Sequence, residues 1–379
     1  MDPRRARVAF FPLRREVEPT GELESSKSFL NILRRSAVGV EVVDLTEAGD
    51  ISRGLASLVL GNLRRLAGIR KTLRAAAFDL AVIKVPTPAQ IPPLRPLLFD
   101  FQGKLAFWCD SLCFELPSLR LALTLLAQEP LLTGARAVLN GRSWLRLGGP
   151  RGGWIVVATE VQRAQLRAQG WDPTFIRVIP NSSNLVRAES APRPSLVSPI
   201  SAPFRMGYMG HLDSVKGVSD LFTGLAELLR EPTPFSFHFA VSPLSTHRSV
   251  PEFHDPRIKI SHAVDRLVFL NNLDLLVLPY WADWGTSLVP AVLLEAMGLG
   301  VPVLVPDTPL SREVLGEDYP GLYARTDGTA LQRAMMRVLT DVHHRPNGAA
   351  LRERFLTRYS PRRVEEAWLA FLDEALRVG

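Results

Sequence analysis

Gly285-Thr-Ser-Leu-Val-Pro-Ala-Val-Leu-Leu-Glu-Ala-Met-Gly-Leu-Gly-Val-Pro-Val-Leu-Val305 reads as an irregular loop, a helix with one acidic side chain, a glycine stop and a buried strand. Gly298 and Gly300 are placed to end the helix. Val301 to Val305 is the short apolar run expected of a strand covered on both faces of a parallel sheet. Glu295 interrupts an otherwise apolar stretch, and a carboxylate there is costly without a partner. The expected helix N-terminus, near Gly285, Thr286 and Ser287, offers N–H groups and the positive end of the helix dipole to a phosphate. A phosphate at the helix start, with a hydroxyl-binding Glu roughly two turns later, is the chemistry a nucleotide sugar would need. The competing reading keeps Glu295 as a structural carboxylate satisfied by backbone or by an arginine.

Working outward, strand-like runs alternate with helical ones, which argues for an α/β fold with parallel sheets. The first half reads as strands at Arg7–Leu13, Val38–Leu45, Phe78–Val85, Lys104–Cys109, Trp154–Ala158 and Phe175–Pro180. Helices are expected at Gly21–Arg35, Ile51–Arg74, Pro117–Leu147 and Glu160–Gln169. Asn181–Pro203 is rich in Ser, Pro, Ala and Asn without periodicity and reads as a linker. A second α/β series follows, with strands at Arg205–Tyr208, Phe235–Val241, Lys259–Ala263 and Leu273–Pro279 and a helix at Gly217–Arg230. Helices at Gly328–Leu339, Ala349–Tyr359 and Val364–Leu376 finish the chain. The expected division is 1–182, a linker over 183–203, a second domain over 204–360 and a closing helix over 361–379. Two such units suit a ligand at the carboxyl ends of the strands. Neither a GxGxxG after the first strand nor a GxxxxGK[ST] is present, so dinucleotide and P-loop readings have no support.

The length of 379 residues fits about two domains. A formal net charge of +7 suits phosphates, acidic glycans, anionic lipid or nucleic acid. No recognised nucleic-acid module is present, and no nucleic-acid partner is expected. Cys109 and Cys113 match no zinc pattern and no disulfide framework, and read as structural thiols. No apolar run approaches the roughly 20 residues of a membrane span, and Val8–Leu13 is too short for a signal-peptide core. A cytoplasmic location is the expectation. Gly61–Arg74 is basic with Leu and Ile at helical spacing; it fits an anionic membrane surface, or an ordinary helix with a solvated Arg face.

Five segments in order resemble the retaining glycosyltransferases of family 4, which have the GT-B fold. They are Val178-Ile-Pro-Asn181, Met206-Gly-Tyr-Met-Gly-His-Leu-Asp-Ser-Val-Lys-Gly217, Leu273-Asp-Leu-Leu-Val-Leu-Pro279, Leu294-Glu-Ala-Met-Gly-Leu-Gly-Val-Pro-Val303 and Phe355-Leu-Thr-Arg-Tyr-Ser-Pro361. The resemblance implies two Rossmann-like α/β/α domains facing a central cleft, with a C-terminal helix crossing back to the first. It implies transfer of a sugar from a nucleotide-diphosphate sugar to a glycan, lipid-linked or natural-product acceptor, with retention of anomeric configuration. Neither a metal nor another cofactor is implied, and a peripheral contact at the inner membrane face is compatible with lipid-linked acceptors.

By the same resemblance Lys216 lies on the donor diphosphate, where a cation would stabilise charge on the leaving phosphate. Glu295 matches the second Glu of the family's pair, which holds the nucleotide ribose. Gly210 belongs to the phosphate loop. Three positions depart from the pattern: His211 replaces an arginine, Ser287 replaces the first Glu, and Ser182 replaces a glycine. His211 can donate to phosphate but lacks the arginine fork, and Ser287 supplies no charge. In the first domain Thr20, Gly21 and Arg14 match the loop near acceptor and diphosphate. Asp110 follows the fourth strand as a candidate sugar contact, or as a cap for the next helix. Trp281 and Trp284 could stack on a sugar or base, or serve loop packing.

Two further classes compete with a glycosyltransferase. A nucleotide-sugar 2-epimerase would need acid and base groups around the sugar, and no such His/Glu/Asp set is visible. A non-catalytic GT-B binder of nucleotide sugar, or an assembly partner, would account for Ser287 and His211.

Overall fold

A computed structural model describes residues 6–12, 21–35, 39–42, 67–85, 101–109, 153–183, 185–186, 203–212, 216–242, 251, 253–262, 264–280, 289–324 and 328–377. The chain divides into two compact units, Met1–Asn181 with Pro361–Gly379, and Ser182–Ser360.

In chain order the first unit contains β1 (Arg7–Phe11), α1 (Gly21–Arg35), β2 (Gly39–Val42), α2 (67–75), β3 (Leu80–Val85), β4 (Lys104–Cys109), β5 (Trp154–Val157), α3 (Glu160–Ala168) and β6 (Ile176–Val178). The second contains β7 (Phe204–Gly210), α4 (Val218–Leu228), β8 (Phe235–Val241), β9 (Ile258–His262), α5 (Arg266–Asn271), β10 (Leu275–Val277), α6 (Ala291–Leu299), β11 (Val303–Pro306), α7 (Pro309–Leu315), β12 (Leu322–Tyr323), α8 (Gly328–Thr340) and α9 (Gly348–Arg354). A π-helical turn over Phe355–Tyr359 then leads to α10 (Pro361–Arg377), which returns to the first unit.

All strand pairs of the first sheet are parallel, in the order β2-β1-β3-β4-β5-β6. β3 is buried along its whole length, as the period-2 alternation of side chains requires when both faces are covered. Ala81, Ile83 and Val85 meet Ile69 and Leu73 of α2 and Leu166 of α3. Leu80 and Val82 meet Phe29 and Leu33 of α1 and Val364, Trp368 and Phe371 of α10. Aromatic rings form the centre of that second face: Trp368 lies 4.3 Å from Phe29 and 5.0 Å from Trp108, centroid to centroid. Arg177 joins β6 to α10, donating from Nε to Glu374 Oε2 at 2.8 Å and lying over the Trp154 ring.

The second sheet is also parallel, in the order β12-β11-β10-β7-β8-β9. Numbered from β7 this is the 3-2-1-4-5-6 order of a doubly wound sheet, so the strand order reverses between β7 and β10. One face carries Met206, Tyr208, Phe237, Phe239 and Val277 against α4 and α8. α6 is buried over seven consecutive residues, Leu293–Leu299. A helix apolar on all sides belongs inside, and α6 packs against α5, α9 and the π turn.

Several expectations need correction. α6 starts at Ala291, with Pro290 as its N-cap, and not near Gly285–Ser287; proline's fixed φ suits the helix start. Gly298 lies inside the last turn of α6, where a Cβ would come 2.7 Å from Val186 Cγ1. Gly300 ends the helix at φ 71°, and a Cβ on Gly348 would lie 2.0 Å from its carbonyl oxygen. Only glycine fits at that crossing. Ser182, Ser183 and Val186, within the segment read as a linker, pack in the second unit. The helix expected at Pro117–Leu147 lies outside the described residues, as does Ile51 to Leu66 of the helix expected at Ile51–Arg74.

Candidate functional site

β7 ends in Gly210 at φ 147°, a conformation that favours glycine. The buried Tyr208 donates its hydroxyl hydrogen to the His211 carbonyl oxygen, which fixes the chain as it leaves the sheet. Lys216 and Gly217 then lead into α4. Gly217 is the N-cap of that helix at φ 67°, with no side-chain capping bond. A strand, a glycine-containing turn and a helix N-terminus in this order present backbone N–H groups and a positive dipole end to an anion.

Lys216 is half-buried, and its Nζ lies 4.4 Å from the centre of the Tyr280 ring. Tyr280 follows β10, so the cation spans the two strands between which the order reverses. Ligands of doubly wound sheets bind at that point, outside the carboxyl ends of the strands. A cation over an aromatic face is held by the ring quadrupole yet keeps its charge. Burial pushes the Tyr280 phenol well above its ordinary range, so it stays a neutral partner.

Glu295 is the fifth residue of α6 and is 1% exposed. Its Oε1 accepts from Arg266 Nη1 at 3.1 Å and from Ser183 Oγ at 3.3 Å. Arg266 opens α5, whose N-cap Asp265 accepts from Val268 N at 2.8 Å. At the other end of α6 the buried Arg352 donates to the Gly298 carbonyl oxygen, placing a cation at the negative end of the helix dipole. The carboxylate therefore has the arginine that the structural reading required, within a helix held at its C-terminal end by Arg352.

Gly210, His211 and Lys216 thus meet at the carboxyl edge of the second sheet. Glu295 enters from a helix that begins on the same edge, since α6 follows β10 in a parallel sheet. Gly21 is the first residue of α1. Arg14, Thr20, Asp110, Gly285, Thr286 and Ser287 lie outside the described residues, as do Trp281 and Trp284. Cys109 is buried in the core of the first unit. Tyr280, Arg266 and Ser183 escape a reading by motif. Arg266 directly follows an N-cap acid after a strand, the one local signal that it sits at the binding edge. Among the described residues no group of three or more His, Cys, Asp or Glu is arranged to hold a metal, and no helix is long and apolar enough to cross a membrane.

Residues 203–341 match the family model for Glycosyl transferases group 1. No curated protein sequence matches the chain. Solved structures of similar fold include a lipopolysaccharide outer core galactosyltransferase, WaaB, in its apo form (13% identity, 97% of this chain and 99% of that chain, TM-score 0.63). The trehalose-6-phosphate synthase OtsA aligns over 99% of both chains at 11% identity and TM-score 0.66. A putative UDP-N-acetylglucosamine 2-epimerase from Listeria monocytogenes aligns over 99% of this chain and 97% of that chain at 15% identity and TM-score 0.61. Transferases and an epimerase on one architecture illustrate that fold alone does not fix chemistry. Taken with the two parallel sheets, these matches identify a GT-B fold, and within its second unit residues 203–341 resemble the Glycosyl transferases group 1 family.

Proposed function

We propose that this protein is a glycosyltransferase that moves a sugar from a nucleotide-diphosphate sugar to a glycan, lipid-linked or natural-product acceptor, with retention of anomeric configuration. The observation that carries the reading is Lys216, held over Tyr280 beside the glycine turn after β7, at the strand-order reversal of the sheet that matches the family. A cation there meets the negative charge that builds on a leaving diphosphate.

In this reading Lys216 and His211 bind the donor diphosphate, with Gly210 and the start of α4 supplying close backbone approach. Gly285, Thr286 and Ser287 complete the donor side, and Glu295 accepts from the ribose hydroxyls. Asp110 contacts a sugar, and Arg14, Thr20 and Gly21 form the loop toward acceptor and phosphate. The leaving phosphate helps to deprotonate the acceptor hydroxyl, so transfer needs positioning and charge stabilisation without a protein nucleophile. No metal or other cofactor takes part, and activity is expected to survive a chelator. The protein works in the cytoplasm, and contact with the inner membrane face through the basic 61–74 segment would serve a lipid-linked acceptor.

Thermal denaturation against a panel of nucleoside diphosphates and nucleotide sugars tests the donor site. A rise in Tm with one nucleotide, lost in Glu295→Ala, is the expected result. With that donor identified, the anomeric configuration of the product by NMR tests retention. Binding without transfer to any acceptor would favour the non-catalytic GT-B binder, with Ser287 and His211 as its cause.

A further inference from the structure

We infer that Arg266 is a positioning residue for the donor ribose, acting through Glu295. This inference rests on the donor reading of Glu295 and extends it to a side chain outside the quoted motifs. Glu295 sits in a helix whose neighbours along the chain are apolar and buried. A lone carboxylate placed there would be driven toward its neutral form, and a neutral acid accepts poorly from a vicinal diol. Arg266 Nη1 lies 3.1 Å from Glu295 Oε1, close enough to favour the charged form. Ser183 Oγ, 3.3 Å from the same oxygen, adds a second donor and fixes the rotation of the carboxyl group. A carboxylate offers about four lone-pair sites, so two donors on one oxygen are compatible with acceptance from ribose hydroxyls.

The geometry suits a part held in place before ligand arrives. Arg266 begins a helix that Asp265 caps, Ser183 belongs to the same unit, and α6 is held at its far end by Arg352. None of the three contacts depends on the ligand. The pair therefore sets the orientation of the acceptor oxygens in advance, which lowers the ordering cost of binding.

A structural role alone predicts that replacing Arg266 weakens all nucleotides alike. A role through Glu295 predicts loss of one discrimination only. The experiment is isothermal titration of the full-length protein with uridine, adenosine and guanosine 5′-diphosphates and with their 2′,3′-dideoxy counterparts. Wild type is expected to prefer one ribonucleotide over its dideoxy form by roughly tenfold or more, the size of hydrogen bonds to a charged group. Arg266→Leu is expected to bring that ratio to within about threefold, as is Glu295→Ala, while dideoxy affinity changes little. Arg266→Lys is expected to retain part of the ratio, and melting of each ligand-free variant checks that it is folded. Should Arg266→Leu not fold, Ser183→Ala and Arg266→Gln are titrated in its place. A wild-type ratio that persists undiminished in the Arg266 variants overturns the inference and leaves the donor reading intact. A wild type that binds no nucleotide, or does not distinguish the two sugars, overturns the donor reading and the inference with it.

Discussion

Two lysines lie near the carboxyl edges of the two sheets, and both place Nζ over an aromatic ring: Lys84 over Trp108 at 4.3 Å, Lys216 over Tyr280 at 4.4 Å. Their surroundings differ. Lys84 is the penultimate residue of β3, is wholly buried, and donates to Ser25 Oγ at 2.8 Å and Ser26 Oγ at 3.2 Å in α1. Lys216 follows the strand, in the turn before α4, and is half-buried. The first cation is spent within the protein, tying a helix to the sheet; the second faces the place where doubly wound sheets take ligands. Residue type and ring contact are shared, so position relative to the strand end separates a lysine inside the core from one at the edge where such sheets take ligands.

That contrast can be broken most directly at Lys84. Lys84→Ala removes a long buried stem from an aromatic core and is expected to cost about 2–4 kcal/mol. Urea denaturation followed by tryptophan fluorescence checks it, since Trp108, Trp154 and Trp368 belong to the first unit. Unchanged stability would remove the distinction. Lys216→Ala is expected to do the reverse: turnover falls roughly 100-fold or more, the scale for one transition-state donor, while the urea midpoint stays put. Equal loss of stability in both variants would make Lys216 structural too.

A smaller effect separates the units by pH. All seven histidines lie between His211 and His344, so the first unit has none. His238 is held below its ordinary pKa by burial and then by Lys259. Its neutral form is favoured in the fold, so its contribution is complete above the unfolded value of about 6.5 and is lost as pH falls through the lower folded value. Stability of the second unit is expected to fall modestly from pH 7 to 5, and His238→Gln to flatten that slope in denaturation curves.

The sheets were legible because their strands are apolar along at least one face, as in Phe235–Val241, where Ser236 and His238 alternate with buried rings. Lys104–Cys109 and Phe235–Val241 keep their expected bounds, as does the amphipathic helix Gly21–Arg35. Short helices were not. Arg266–Asn271 and Pro309–Leu315 span six and seven residues, too few for a 3.6-residue period to show. Their capping residues, Asp265 and Thr308 followed by Pro309, were the only signals. The start of α6 lies at Ala291 and not near Gly285–Ser287, because the helix is entered through Pro290, whose fixed φ suits a helix start. The need for a partner at Glu295 could be read from its apolar neighbours. The partners could not: Arg266 lies 29 residues away and Ser183 lies 112 away, and only folding brings them together.

The return of Pro361–Arg377 to the first unit has a consequence for biogenesis. A ribosome finishes every residue of the second unit before it releases the helix that covers Phe29, Trp108 and Trp154 of the first. Until then a large aromatic face waits uncovered, the kind of transient surface that recruits chaperones. The nascent chain therefore completes its second unit before its first.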